Sequence, residues 1–258
     1  MSVADLHENP ACVVPDWNVP SHVVALTTTR RTGTSTGPFK GFNIATHVDD
    51  EPQQVLRNRE KLAEMVDSGV SLQWLDQVHG TEAKPAIKGA GLLRADACYT
   101  SEAGVACCVT TADCLPVLLT TRSGGMVAAA HCGWRGLAIG ILEHTIAEFT
   151  SPARDIVAWM GPAIGPCHFE VGAEVRDAFI LGTTRDLRAR LDACFVPTQS
   201  RGKFMADLYQ LARIKLGQLG VESISGGDFC TYCQADEFYS FRRQNKTGRM
   251  VSLIYLNT

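Results

Sequence analysis

The chain has 258 residues and a formal net charge of −3, and 45% of its residues are hydrophobic and 20% charged. This composition is ordinary for a globular protein and excludes a largely disordered chain. The charge excludes the broad basic surface that nucleic acid or an anionic membrane requires, and no apolar run reaches the roughly 18 residues of a membrane-spanning helix.

The cellular location is predicted from the start of the chain and from its cysteines. The first ten residues lack the basic and apolar regions of a signal peptide, so we expect a cytoplasmic protein. The chain has ten cysteines, and in that compartment we expect them to be reduced thiols rather than disulfides.

The first half of the chain begins with a polar segment that contains prolines at positions 10, 15 and 20. We expect residues 1–20 to be loosely ordered and residues 21–258 to form a single domain. β-branched residues predict a strand over 22–29, and acidic residues before Pro52 predict a helix over about 52–66. A strand is predicted over 72–78, and it would place His79 directly after its last residue.

The middle of the chain has near-continuous apolar runs at 105–110, 115–120 and 126–130, which predict strands buried on both faces. A glycine turn at 122–125 makes the last two hairpin-like. Helices are predicted over 136–149 and 205–219, and further strands over 156–160, 223–225 and 251–256. Strands and helices mix without strict alternation, which predicts one α+β domain.

Three residues form a candidate catalytic metal site. The hairpin would bring Cys114 near His131, and His79 is the best third ligand. Two imidazoles and a thiolate match the three protein ligands of a catalytic zinc. On residue types alone, two hydrogen-bonded histidines and one buried thiol are the favoured explanation of the pattern.

A cysteine hydrolase is the competing interpretation of the same residues. Cys114 would be the nucleophile and His131 the base, with Asp113 or Gln77 orienting the histidine. The sequence alone does not separate this interpretation from the metal site.

Two other motifs are candidates for function. Arg135 lies at the start of a predicted helix, where free N–H groups and a guanidinium favour an anion; a surface arginine is the alternative. Cys230 and Cys233 form a C-x-x-C pair, and one such pair without a second is weak evidence for a metal or redox site, so its role stays open.

Taken together, these motifs resemble the laccase-domain family, also called multicopper polyphenol oxidoreductases and typified by bacterial YfiH. The matching stretches run in family order from about residue 22 onward. They are Gln-Val-His-Gly at 77–80, Thr-Ala-Asp-Cys-Leu-Pro-Val-Leu-Leu at 111–119, Ala-His-Cys-Gly-Trp-Arg-Gly-Leu at 130–137, Gly-Pro-Ala-Ile-Gly-Pro-Cys at 161–167, Phe-Glu-Val-Gly at 169–172, Asp-Leu at 207–208, Cys-Thr at 230–231, Phe-Tyr-Ser-Phe-Arg-Arg at 238–243 and Thr-Gly-Arg at 247–249.

The resemblance implies a single α+β domain with mixed β-sheets layered between helices, an α/β/β/α-like arrangement. It also implies a zinc site that carries over onto His79, Cys114 and His131. The implied activity is phosphorolysis of adenosine, inosine and methylthioadenosine to the base and a sugar 1-phosphate, together with deamination of adenosine. The expected partners are small-molecule substrates, and the oligomeric state is open, with a monomer favoured.

Roles for individual residues follow from that implied activity. Asp113 would tune the metal site or act as an acid beside Cys114. Phosphate would be held by an arginine, with Arg135 first and Arg30 or Arg242 next. Asn43 and Gln77 would contact the ribose or the base.

Two alternative activities remain. Copper could replace zinc at the same ligands and support a laccase-like polyphenol oxidation. The chain has seven histidines and no His-x-His pair, so the multi-copper centre of a conventional laccase cannot be built from it. The cysteine hydrolase would fit a role in editing cell-wall precursors.

Overall fold

The strands in the middle of the chain are apolar at almost every position, so each of their faces must be covered by another layer. The structure, a computed structural model, describes residues 6–257. The strands are β1 (Cys12–Val13), β2 (Val23–Thr28), β3 (Ser71–Gln73), β4 (Leu75–Asp76), β5 (Ala83–Pro85), β6 (Leu93–Arg94), β7 (Ala97–Thr100), β8 (Val105–Thr111), β9 (Leu115–Thr121), β10 (Val127–Cys132), β11 (Ile156–Met160), β12 (Glu170–Gly172), β13 (Phe195–Pro197), β14 (Lys203–Ala206), β15 (Ser223–Gly226) and β16 (Met250–Leu256). The α-helices are α1 (Pro52–Met65), α2 (Trp134–Ile139), α3 (Ile141–Ala147), α4 (Ala173–Ile180), α5 (Arg185–Asp192) and α6 (Leu208–Gln218).

Two large mixed sheets form the centre of the molecule. The first has the strand order β1-β2-β16-β8-β3, and the second has the order β15-β11-β9-β10-β7-β5. Most neighbours are antiparallel, whereas β3–β8, β11–β15 and β5–β7 are parallel pairs. Smaller sheets, β12-β14-β13 and β4-β6, lie outside these two.

The two large sheets pack face to face and are covered by helices on their outer faces. Cys107 and Ile254 of the first sheet and Leu118 and Ala129 of the second belong to one apolar cluster between the sheets. The outer face of the first sheet packs against α1, and that of the second against α2, α3, α4 and α6. The predicted α+β fold with helices outside two layered sheets is confirmed.

No helix within residues 6–257 combines the length and the apolar character needed to cross a membrane.

The segment before residue 21 was predicted to be loosely ordered, and the structure describes residues 6–20 of it. Cys12 and Val13 pair with Thr28 and Thr27 of β2, and Leu6 is 1% exposed. The described part of this segment is therefore packed against the first sheet. Residues 1–5 lie outside the described part of the chain.

Three predicted elements differ from the observed ones. The helix predicted over 136–149 is divided into α2 and α3 at Gly140, whose φ of 110° is left-handed. The helix predicted over 205–219 begins only at Leu208, because residues before it pair in β14 and Asp207 caps the helix by accepting from the Gln210 N–H at 2.9 Å. The strand predicted over 72–78 is two short strands in different sheets.

Candidate active site

The hairpin of β9 and β10 brings Cys114 beside His131. His131 of β10 pairs with Pro116 of β9, and Cys114 lies two residues before that proline. The Nε2 of His79 lies 3.8 Å from the Cys114 Sγ. The ligand atoms of the three residues all lie within 4.8 Å of one another. The structure therefore brings together the three side chains that the sequence predicted as metal ligands.

A turn held by a carboxylate positions His79. Its φ is 61°, in the left-handed region that residues other than glycine rarely occupy. The Asp96 carboxylate accepts hydrogen bonds from the backbone N–H groups of Val78 at 3.2 Å, His79 at 2.9 Å and Gly80 at 2.6 Å. Three bonds to a charged acceptor offset the strain of this backbone conformation.

Asp96 also orients His131. Its side chain is fully buried, and its Oδ1 lies 2.9 Å from the His131 Nδ1. Burial raises the pKa of Asp96, but hydrogen bonds from His131, Gly80 and His79 outweigh burial, so the pKa lies below its usual value. Because Asp96 occupies Nδ1, the Nε2 of His131 is the nitrogen left for the cluster, as in many histidine ligands that a carboxylate supports.

The environment of Cys114 favours the thiolate. Burial raises the pKa of this thiol, but the charge of His131 and hydrogen bonds from His131 and His79 lower it to about 6. Burial lowers the pKa of His131, whereas Cys114 and Asp96 raise it to about 9. A thiolate is the form of cysteine that binds a metal and also the form that attacks as a nucleophile.

Gly133 leaves space beside the cluster. A Cβ at this position would lie 2.8 Å from the His79 Cδ2 and 3.1 Å from the Cys114 Sγ, so any larger residue would displace the two side chains.

A thiolate and two imidazoles are a known donor set for catalytic zinc, with a fourth position left for water or substrate. The residues present therefore fit a zinc ion, and the same donors can hold copper.

A cavity of about 540 Å³ opens onto the three residues, which is within the size range of small-molecule sites. Large apolar side chains form part of its wall, and basic side chains form another part. The apolar lining includes Trp74, Leu92, Ile164, Phe169 and Phe241, and the basic lining consists of His47, Arg59, Arg242 and Arg249.

Backbone carbonyls hold the guanidinium of Arg249. Its Nη1 donates to the carbonyls of Thr247 at 2.9 Å and Gly248 at 3.0 Å. Burial lowers the pKa of Arg249, while the acidic groups of Cys114 and Asp113 raise it. Arg249 is thus partly desolvated and within electrostatic reach of the His79, Cys114 and His131 cluster.

The other two cavity arginines are also held by main-chain groups. The Nε of Arg59 donates to the Ile44 carbonyl at 2.9 Å, and its guanidinium lies 4.1 Å over the Trp74 ring. The Nη1 of Arg242 donates to the carbonyls of His168 and Glu170, both at 3.0 Å. Within residues 6–257, none of the three cavity arginines forms a side-chain ion pair with a carboxylate.

Three of the other predicted site residues line the cavity: Gln77, Asp113 and Arg242. The Gln77 amide is occupied by the Thr110 backbone, accepting from its N–H at 2.8 Å and donating to its carbonyl at 2.9 Å. Asp113 accepts from the Thr231 hydroxyl at 2.6 Å and from the Arg242 backbone N–H at 2.7 Å. Gln77 and Asp113 therefore fix the cavity wall through contacts with the protein.

The remaining predicted contacts lie outside the cavity lining. Asn43 is fully buried, and its Oδ1 accepts from the Arg249 backbone N–H at 2.9 Å. Asn43 therefore fixes the backbone of Arg249. Arg30 donates to the carbonyl of Ala235 at 3.1 Å. Arg135 is exposed, and its guanidinium lies 4.4 Å over the Trp134 ring.

Asp96, Arg59 and Arg249 were not predicted from the sequence as site residues. Asp96 is a lone acid before a short strand, and nothing in the sequence shows that the turn at His79 reaches it. Arg59 resembles the exposed residues of α1. Arg249 carried a signal, because it ends the Thr-Gly-Arg stretch at 247–249, but no role was assigned to it.

Known proteins resemble the chain over nearly its whole length. The family model described as multi-copper polyphenol oxidoreductase laccase matches residues 24–257. A Pseudomonas aeruginosa protein named purine nucleoside phosphorylase is 49% identical over 249 residues, which cover 95% of this chain and 98% of the relative. Escherichia coli YfiH, also named a purine nucleoside phosphorylase, is 46% identical over 248 residues, with 95% and 98% coverage.

A solved structure also matches the fold. The crystal structure of a Neisseria meningitidis protein superposes with a TM-score of 0.90 at 43% sequence identity, and the match covers 96% of this chain and 100% of the other.

Proposed function

Because the chain belongs to the multi-copper polyphenol oxidoreductase laccase family and its relatives are named purine nucleoside phosphorylases, we propose that it is a zinc-dependent purine nucleoside phosphorylase. It would cleave adenosine, inosine and methylthioadenosine with inorganic phosphate into the base and a sugar 1-phosphate, and would also deaminate adenosine. One observation carries the proposal: a single cavity combines the Cys/His cluster, aromatic side chains and three arginines.

The aromatic lining suits a purine base. Phe169 is 8% exposed and Phe241 is 49% exposed, so one ring is fixed in the wall and the other is accessible. A flat aromatic base gains stacking and burial energy on such rings. Trp74 offers less, because the Arg59 guanidinium lies 4.1 Å over its ring, closer than Arg242 lies over Phe169 (5.5 Å) or Arg249 over Phe241 (5.9 Å).

Arg249 and Arg242 are the proposed phosphate ligands. Each uses Nη1 for backbone carbonyls, which leaves its remaining guanidinium N–H groups for an anion. Paired N–H donors of arginine match the oxygens of phosphate. Arg242 was among the predicted candidates, whereas Arg135 and Arg30 lie outside the cavity lining.

Thr111 is the proposed contact for a ribose hydroxyl. It is 1% exposed and lines the cavity, and its Oγ1 has no hydrogen-bond partner within residues 6–257. A buried polar atom without a partner costs about 1–3 kcal/mol. A sugar hydroxyl bound at this wall would supply the missing hydrogen bond.

The two reactions place different demands on the chain. In phosphorolysis a phosphate oxygen bonds to the sugar C1′ while the bond from C1′ to the purine breaks, and the base leaves with the electron pair and takes a proton. In deamination the oxygen of water replaces the C6 amino group, which leaves as ammonia. When bound by His79, Cys114 and His131, zinc would supply a Lewis acid and lower the pKa of a water molecule.

The proposed location is the cytoplasm. All ten cysteines of the chain are unpaired, which suits a reducing compartment. Nucleosides and inorganic phosphate are available there as substrates.

A product assay tests the proposed activity. Purified protein is incubated with adenosine, with and without phosphate, beside Cys114→Ser. Adenine that forms only with phosphate supports the phosphorylase, and inosine without phosphate supports the deaminase. If zinc-loaded protein yields neither product, or if Cys114→Ser retains full activity, the proposal is wrong.

A cysteine hydrolase is the second candidate, because Cys114, His131 and Asp96 form a thiolate–imidazole–carboxylate arrangement. Such an enzyme would cleave an amide bond, for example in a cell-wall precursor. It would remain active after zinc is removed by a chelator, whereas the phosphorylase would not. Oxidation of a phenolic substrate with added Cu²⁺ is the parallel assay for the laccase-like alternative.

A further inference from the structure

A second cluster of metal-ligating side chains lies outside the candidate active site. Cys167 and His168 lie between β11 and β12, and Cys230 and Cys233 lie in the segment between β15 and β16. The three sulfurs and one imidazole nitrogen all lie within 4.8 Å of one another. This cluster has no residue in common with the His79, Cys114 and His131 site.

The separations between these atoms match a tetrahedral metal site. The Cys167 Sγ lies 3.8 Å from the Cys230 Sγ and 3.4 Å from the Cys233 Sγ. The His168 Nδ1 lies 3.2 Å from the Cys167 Sγ and 3.3 Å from the Cys233 Sγ. Zinc bonds of about 2.3 Å to sulfur and about 2.0–2.1 Å to nitrogen would place tetrahedral sulfurs about 3.8 Å apart and sulfur about 3.5 Å from nitrogen.

We propose that Cys167, His168, Cys230 and Cys233 bind a zinc ion through three thiolates and one imidazole. Three cysteines and one histidine are among the ligand sets of structural zinc sites, in which all four positions are taken by protein. The C-x-x-C spacing of Cys230 and Cys233 is the usual spacing of one ligand pair in such sites. The ion therefore stabilises the structure and does not contact substrate.

The surrounding residues hold the ligands in this arrangement. The Gly165 backbone N–H donates to the Cys230 Sγ at 3.3 Å. The His168 ring stacks on the Tyr232 ring, with centroids 3.9 Å apart and planes 15° from parallel. An N–H donor to a sulfur and a stacked imidazole are the kind of outer contacts that orient metal ligands.

The proposed site joins two loops that contribute to the cavity. One loop leads from Cys167 and His168 to Phe169, and the other leads from Cys230 and Cys233 to Arg242. The Arg242 guanidinium donates to the His168 carbonyl at 3.0 Å, and both Phe169 and Arg242 line the cavity. A zinc ion that cross-links these loops would fix the positions of Phe169 and Arg242 relative to each other.

Metal content and metal coordination test this proposal separately from the proposed function. Protein expressed with zinc should contain two zinc ions per chain, and Cys114→Ser should contain one. X-ray absorption of zinc in Cys114→Ser should then give three sulfurs at about 2.3 Å and one nitrogen at about 2.0–2.1 Å. Coordination by nitrogen and oxygen only would overturn the proposal.

Cysteine variants identify the ligands. Cys233→Ser should lose one zinc and retain the zinc that Cys114→Ser removes. Cys194→Ala is the matched control, because Cys194 is buried and belongs to neither metal cluster, and it should retain both ions. Wild-type protein with one zinc per chain, or with a disulfide between two of these cysteines detected by mass spectrometry, would contradict the proposal even if Cys233→Ser does not fold.

Discussion

At the residue scale, the candidate active site depends on a side chain that is not itself one of the proposed metal ligands. Asp96 contacts His131 through one oxygen and the backbone turn at His79 through both. The two histidines come from separate parts of the chain, so this carboxylate fixes their relative position. Such a supporting residue affects metal affinity without binding the metal.

Replacing Asp96 with asparagine is expected to weaken zinc binding at the His79, Cys114 and His131 site about 10–100-fold, the usual effect of losing a carboxylate behind a histidine ligand. The amide retains the size of the side chain but can accept fewer of its hydrogen bonds and carries no charge. Competition with a chelator for the zinc that Cys114→Ser removes measures the effect. Asp186→Asn, at an exposed position on α5, should leave the affinity unchanged.

Replacing Arg249 with alanine is expected to raise the KM for phosphate at least tenfold, about 1.4 kcal/mol of binding energy, and to change the KM for nucleoside less. The reason is that the guanidinium is partly desolvated and faces the cavity. Steady-state kinetics with each substrate varied in turn measure the two constants. Arg135→Ala is the control, because Arg135 is exposed and lies outside the cavity lining; equal effects of the two variants would remove Arg249 from the phosphate site.

At the element scale, one glycine decides how the chain leaves β10. Gly140 ends α2 and begins α3, and its left-handed φ of 110° changes the direction of the helix axis. α3 can then pack on β10 beside α2. A residue with a side chain would favour a single straight helix, as the periodicity of residues 136–149 predicts.

Gly140→Ala is expected to lower the free energy of unfolding by about 1–2 kcal/mol, because an L-residue is strained in that conformation. The strain is conformational, since the nearest atom to a Cβ at Gly140 is 3.7 Å away. Gly217→Ala is the matched control: this glycine lies inside α6 with nothing within 4 Å of its Cβ position. It should raise stability by about 0.5–1 kcal/mol, and urea denaturation of both variants gives the two values.

The buried thiol of Cys12 in the short strand β1 is expected to lower the stability of the protein at alkaline pH. Burial raises the pKa of the Cys12 thiol from 9.0 to about 11, and its sulfur donates to the Leu6 carbonyl at 3.4 Å. A raised pKa in the folded state means that the contribution of this group to stability is complete below about pH 9. That contribution is lost as the pH rises from about 9 to about 11, because only the unfolded chain ionises easily there.

Cys12→Ala should therefore reduce the loss of stability between about pH 8 and about pH 10.5, by on the order of 2 kcal/mol. Urea denaturation of the wild type and the variant at both pH values, under reducing conditions, measures the change. Cys194 has a similarly raised pKa of about 11. Its contribution to the pH dependence is the same in both proteins and therefore cancels in the comparison. Parallel losses in the two proteins would show that Cys12 does not control this dependence.

At the scale of the whole molecule, the sequence predicts the central strands better than it predicts the connections between them. β8, β9, β10 and β16 are long apolar runs, and such runs are stable only when both faces are covered, so local pattern and tertiary burial agree. The strand predicted over 72–78 fails because its residues divide between two sheets. That division depends on partners, β8 and β6, that the local sequence does not specify.

The candidate site is predictable to the same degree. Cys114 and His131 could be placed together because a short hairpin joins them, whereas His79 was only the best candidate for a third ligand, because it follows a predicted strand. Asp96 and Arg59 reach the site only through tertiary folding. Cys230 and Cys233 are visible as a pair, but Cys167 lies 63 positions before Cys230, so no local pattern indicates that they meet.

The position of β16 has a consequence for synthesis of the protein on the ribosome. This strand lies between β2 and β8 in the first sheet. The hydroxyl of Thr27 in β2 forms a hydrogen bond with the hydroxyl of Ser252 in β16, which lies 225 residues later in the sequence. At roughly 5–20 residues per second, the ribosome needs about 10–45 s to make that stretch. During this time β2 has an unpaired edge that can bind other nascent chains, so slower initiation or a bound chaperone should increase the fraction of chains that fold.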